Sequence, residues 1–170
     1  MENNFGVIVC KENIEVLKEL CDKWEYEKWL ADYKLLIGED DWVSIFDENL
    51  EWGNIEAFVQ LVFSAMKEAI LSVEYFDGTV RYRLWENGTC VGEQCVGWDI
   101  PSCSGKSARN TLFAVKLRVD NALLSKIFSI DDAEQSIMLM ECLMQCQLCW
   151  DDGWINGEKY QMRNIILKDI

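Results

Sequence analysis

Histidine is absent from all 170 residues of this chain. That absence removes Ser-His-Asp and Cys-His nucleophile pairs, imidazole acid–base catalysis and every metal site built on imidazole. Any catalysis would have to rest on Cys, Asp, Glu, Lys, Tyr or a cofactor. Proline occurs once and half of the residues are hydrophobic, a composition unlike that of disordered chains. Positive charge is scarce: 16 Lys and Arg stand against 30 Asp and Glu, a net charge of −14. Binding a phosphate backbone needs cations to displace counterions, so nucleic acid is not an expected partner. An anionic membrane surface is disfavoured for the same reason. No apolar run reaches the ~20 residues that a membrane span requires. Met1 to Asn4 is polar and acidic rather than basic and then apolar, so no secretory signal is expected and the expected location is cytoplasmic.

What is present is enough for one domain over residues 1–170, large enough to build a core without staples. The eight cysteines, read in a reducing compartment, are expected to be buried thiols rather than disulfides. Three of them, Cys142, Cys146 and Cys149, have the CxxxCxxC spacing. It resembles the motif that holds a [4Fe–4S] cluster in radical S-adenosylmethionine enzymes, which would imply an iron–sulfur protein. That motif sits on a loop, whereas here the pattern predicts a helix from Asp131 to about Cys149 that carries the thiols on one core-facing stripe. Ser104-Gly105-Lys106-Ser107 resembles the end of a P-loop, but Ile100 stands where the motif needs glycine and Pro101 removes an amide from the cradle. No metal, cofactor or catalytic residue is therefore assigned. The competing class is a small enzyme using Cys or carboxylate chemistry.

The fold is most legible between Trp42 and Val96. Asp77-Gly78 and Asn87-Gly88 are the dipeptides best suited to type I′ hairpin turns. Centring the first hairpin on Asp77-Gly78 places Leu71, Val73, Tyr75, Val80, Tyr82 and Leu84 on one face. Ser72, Glu74, Arg81 and Arg83 fall on the other, and a slip of one residue would scramble both. In the second hairpin Leu84 is expected opposite Val91, and Glu93 opposite Tyr82, which marks that strand as near an edge. Trp85 falls on the charged face, where it either anchors an interface or packs beneath residues 24–33. Ile55, Phe58, Val59, Val62 and Met66 recur at helical spacing, predicting a helix over 54–69 that covers the apolar face of the hairpins. Strands are expected at 5–10, 34–37 and 42–46, and helices at 11–24 and 120–128. Phe113, Val115, Leu117 and Val119 alternate like a strand, while Leu112, Val115 and Val119 also fit a helix, so residues 111–119 are open between the two, with helix favoured. The expected class is α+β: a largely antiparallel sheet over 34–96 covered by helices, followed by a mostly helical C-terminal part.

Trp42-Val-Ser-Ile-Phe-Asp-Glu, a helix, then Tyr82-Arg-Leu-Trp-Glu-Asn-Gly resembles the small acidic immunity proteins of bacterial polymorphic-toxin systems. The resemblance covers about Trp42 to Val91. It implies a non-catalytic protein that sequesters a toxin domain, and it carries over no functional residue. Composition points the same way, since an acidic chain attracts a basic protein partner. The expected contact residues lie on exposure-prone turns: Glu39, Asp40 and Asp41, then Asp151, Asp152 and Trp154.

Overall fold

Two tight turns set the frame. Asp77 (φ 43°) and Gly78 (φ 81°) close one hairpin, and Asn87 (φ 49°) and Gly88 (φ 77°) close the next. Paired left-handed residues define the type I′ turn, whose twist matches that of the strands it joins. The computed structural model describes residues 4–51, 54–63, 66, 68–97 and 110–149. In chain order its elements are β1 (Asn4–Lys11), α1 (Ile14–Tyr26), β2 (Lys34–Ile37), β3 (Trp42–Phe46), α2 (Ile55–Phe63), β4 (Ile70–Phe76), β5 (Thr79–Glu86), β6 (Thr89–Gly97), α3 (Asn110–Leu117), α4 (Asn121–Phe128) and α5 (Ala133–Met144). The six strands form one antiparallel sheet in the order β2-β3-β1-β4-β5-β6. The class is α+β, with three of the five described helices in the C-terminal part.

The β4–β5 register is the expected one, from Phe76 opposite Thr79 to Ile70 opposite Trp85. The β5–β6 register departs from expectation. It starts in step with the turn, Glu86 opposite Thr89 and Trp85 opposite Cys90, and then a bulge at Val91 puts Leu84 opposite Gly92. The shift has a physical benefit. Glu93 now faces Arg83 instead of Tyr82, and Gly92 slides under Phe113, whose ring would lie 2.7 Å from any added Cβ. The sheet is also wider than expected. Residues 5–10 do form a strand, but it lies at the sheet's centre, antiparallel to β3 on one side and β4 on the other.

Helices pack on both faces. Val7, Val9, Leu71, Val73, Tyr82 and Leu84 cluster with Phe113, Leu124, Ile127 and Ile137 of α3, α4 and α5. Ile8, Cys10, Val43, Ile45, Ile70 and Trp85 cluster with Leu17, Cys21 and Trp24 of α1 and with Ile55, Phe58, Val59 and Val62 of α2. The expected apolar stripe of α2 is buried, but on the face opposite to the one predicted. Helical period shows that a stripe is buried and not which side of a sheet it meets. Trp85 is likewise buried, 2% exposed, in the cluster that holds Trp24 and Leu30, so it packs rather than anchors an interface.

Because both faces are covered, the polar row of β4 and β5 lies inside. Glu74 is fully buried and bridges two guanidiniums, Arg81 at 2.7 Å and Arg83 at 2.5 Å. Arg83 also reaches Glu56 of α2 at 3.5 Å and lies over the Trp85 ring, which donates its Nε1 hydrogen to Ser72. Buried charges persist only when they are paired and hydrogen-bonded.

Capping explains the helix limits. Asn13 accepts from the amides of Glu15 and Val16, and Asp120 from Leu123. Asp132, rather than the expected Asp131, caps α5 by accepting from Gln135. Helix α5 is shorter than expected, because Gln145 turns left-handed (φ 57°) and ends it. Cys142 therefore lies on α5, while Cys146 and Cys149 lie beyond it and do not continue a helical stripe.

Candidate partner-binding face

Two loops converge at one end of the sheet, where β2 begins, β3 ends and β1 begins. The first, residues 27–33, follows α1; the second, residues 47–51, follows β3. Asp47 joins them. Its carboxylate accepts from the backbone amides of Ala31 and Asp32, each at 2.9 Å, and from that of Asn49, also at 2.9 Å. Asn49 returns a hydrogen bond to the carbonyl of Trp29 at 3.3 Å. Tyr33 ties the first loop to α1 by donating to Asp22. Its phenol is pushed to a higher pKa by burial first and by that carboxylate second, so it remains a donor. Short polar side chains that bind nearby backbone in this way fix loops that would otherwise be solvated.

The surface so fixed presents aromatics among carboxylates. Tyr26 is 87% exposed and Trp29 is 43% exposed. Glu27 and Asp32 of the first loop and Glu48 and Glu51 of the second are exposed as well. On one side of loop 47–51 lies a groove of about 360 Å³ lined by Trp29, Asn49, Asn54 and Phe58. On the other lies a groove of about 410 Å³ lined by Phe5, Phe46, Asp32, Lys34, Glu48 and Glu51. Leu50 and Glu51 belong to both, so the loop forms a ridge between them.

The predicted contact residues lie elsewhere. Glu39, Asp40 and Asp41 are exposed on the β2–β3 turn, at the opposite end of the sheet. Asp40 (φ 52°) and Asp41 (φ 64°) form the two left-handed residues of that turn. The turn is seated on the segment after α5, where Glu39 donates its amide to the Gln145 carbonyl at 2.9 Å. Gly38 permits this approach, since a Cβ there would lie 2.6 Å from the same carbonyl. Asp41 lines a third groove with Lys11, Ile37 and Arg118, where cations and anions mix. Asp151, Asp152 and Trp154 lie outside the described residues, as do Ser104-Gly105-Lys106-Ser107. The Tyr26–Trp29 pair was missed because its segment also reads as a helix end packed on the sheet. Leu30 is indeed buried there, while its neighbours face outward.

The thiols are held in their neutral form wherever a shift is resolved. Burial pushes Cys10 up to about 12 and Cys21 up to about 12, each aided by neighbouring negative charge. Burial also pushes Cys146 upward, reinforced by Glu141 and partly offset by a hydrogen bond with Ser44. Neutral thiols are poor nucleophiles and poor metal ligands. Cys149 donates to the buried Glu141 carboxylate at 3.1 Å. Among the described residues no group of three or more Cys, Asp or Glu is arranged to hold a metal ion. Cys95 is disulfide-bonded, to a partner outside the described residues. That corrects the expectation of thiols throughout: Cys95 sits half-buried on the edge strand β6, while Cys10, Cys21, Cys90, Cys142, Cys146 and Cys149 are free. No described helix is long and apolar enough to cross a membrane.

Comparison with family models, with curated proteins and with solved structures finds no match for this chain.

Proposed function

We propose that this chain is a non-catalytic acidic binding protein that sequesters a basic protein partner through the face made by residues 26–33 and 47–51. The observation that carries this reading is the pairing of two exposed aromatics, Tyr26 and Trp29, with four exposed carboxylates on loops that Asp47 locks together. Complementary charge steers the encounter and sets its orientation. Rigid aromatics at the centre then hold the complex, and a preformed loop pair loses little entropy on binding. The net charge of −14 extends the attracting field beyond this face, with the Glu39–Asp41 turn contributing at the other end of the sheet. The resemblance of Trp42–Val91 to immunity proteins supports a basic toxin domain as that partner, and loop 47–51 falls within the resembling stretch.

Affinity capture at low salt tests the proposal. The full chain, Trp29→Ala and the pair Glu48→Lys, Glu51→Lys are each used as bait, with retained proteins identified by mass spectrometry. A basic protein retained by the parent chain, released by salt and lost from both variants supports the reading. A parent chain that retains no basic protein, yet turns over a metabolite, refutes it.

A further inference from the structure

We infer that the groove between β1, the end of β3 and loop 47–51 receives an arginine side chain of the basic partner. The inference rests on the binding-protein reading and names the group that this face recognises. The groove measures about 410 Å³, within the range of about 300–1,000 Å³ that ligand sites occupy. Its lining joins aromatic rings to carboxylates. Phe5 is stacked on Tyr75 with ring centroids 5.3 Å apart and planes 18° apart, which holds its ring in place. Phe46 lies beside it on the neighbouring strand, opposite Val7. Asp32, Glu48 and Glu51 stand at the rim, and the Asp32 side chain is 81% exposed. Asp47 also lines the groove, but its carboxylate is committed to backbone amides and serves to hold the rim.

The geometry is set by backbone. A Cβ on Gly6 would lie 2.3 Å from the Leu50 carbonyl oxygen, so loop 47–51 rests directly on β1. The groove therefore keeps its shape without a ligand. An ammonium already sits at its lip, where Lys34 pairs with Asp32 at 3.0 Å; Glu48 and Glu51, the latter accepting from the Asn4 side chain at 3.1 Å, keep the rim net negative. Rings beside carboxylates in a net-negative groove call for a cation with a flat apolar face. Guanidinium meets that need better than ammonium, because it is planar, stacks on aromatic rings and forks onto carboxylates.

The test is an NMR titration of the full chain with acetyl-Gly-Arg-Gly-amide. The comparison peptides replace arginine by its neutral isostere citrulline or by lysine, and spermidine serves as a free polycation. The expected result is amide shifts at Asn4–Gly6 and Phe46–Glu51, with affinity falling in the order arginine, lysine, citrulline. Glu48→Gln and Glu51→Gln should each weaken the arginine peptide roughly 2–5-fold, and Lys34→Gln should strengthen it by a similar factor, as expected of exposed charge pairs. Equal binding of arginine and citrulline peptides overturns the inference. So does spermidine matching the arginine peptide, or shifts spread equally to Glu39–Asp41. A chain that captures a basic protein through Trp29 but shows no arginine-specific shift overturns this inference alone. A chain that titrates with the arginine peptide and captures no basic protein overturns the binding-protein reading and leaves the groove assignment standing.

Discussion

Replacing Glu74 by Gln should be among the most damaging single changes in this chain. Glu74 is fully buried, and its two oxygens take one guanidinium each, Arg81 at 14% and Arg83 at 7% side-chain exposure. The amide keeps the volume but removes the charge, leaving two arginines facing each other in a site closed to water. Breaking a buried ion pair by removing one partner costs about 3–5 kcal/mol. Set against a total stability of about 5–15 kcal/mol, that is a third or more of what holds many domains folded. At about 2–4 °C per kcal/mol for a chain this long, Tm should fall by about 6–20 °C. Arg83 supplies an internal control. Its second partner, Glu56, is 63% exposed at 3.5 Å, so Glu56→Gln should cost no more than about 1 kcal/mol. Urea unfolding followed by Trp fluorescence measures both variants on the same protein. A Glu74→Gln loss below about 1 kcal/mol, or equal losses for the two variants, would refute the claim that burial decides the value of these pairs.

Gly92→Ala should destabilise by about 1–3 kcal/mol, since the new methyl meets the Phe113 ring at 2.7 Å; an unchanged urea midpoint would show that α3 yields freely. Asp47→Ala should speed hydrogen exchange at Ala31 and Asp32, whose amides it accepts, and should cost about 1–3 kcal/mol through the donors left without it; retained protection would mean the loops hold each other without it. Stability should be full below pH 9 and decline as pH rises from there toward 12. The reason is that Cys10 and Cys21 ionise near their ordinary value of 9 when unfolded but are pushed up to about 12 when folded. A urea midpoint that stays level from pH 8 to 11 would contradict the burial of both thiols.

The sequence made local pairing legible and left long-range placement obscure. Asp77-Gly78 fixed the β4–β5 register because a two-residue turn leaves no slack, and alternation over seven pairs confirms it. The one oddity in the expected second hairpin, Glu93 opposite Tyr82, was the trace of the bulge that the structure places at Val91. Ser72, Glu74, Arg81 and Arg83 read as the charged face opposite the apolar one because each is polar. They are interior because they satisfy one another, which composition alone does not reveal. The face of α2 was misassigned for a related reason: both faces of the sheet needed cover, and α1 and α2 took the one that looked polar. The acidic turn at Glu39–Asp41 was found from composition, whereas the Tyr26–Trp29 face depends on Asp47 bridging loops that are distant in sequence.

The central position of β1 has a consequence for how the chain is made. Its two neighbours in the sheet are β3 and β4, and β4 begins about 60 residues after β1 ends. At about 5–20 residues per second, translation leaves roughly 3–12 seconds in which Val7, Ile8 and Val9 have emerged without both flanking strands. The hairpins β4–β5 and β5–β6, by contrast, are complete as soon as the second strand of each leaves the ribosome. The first of the six described strands to be made is thus among the last to be locked in, and its apolar run needs a chaperone's cover in the interval.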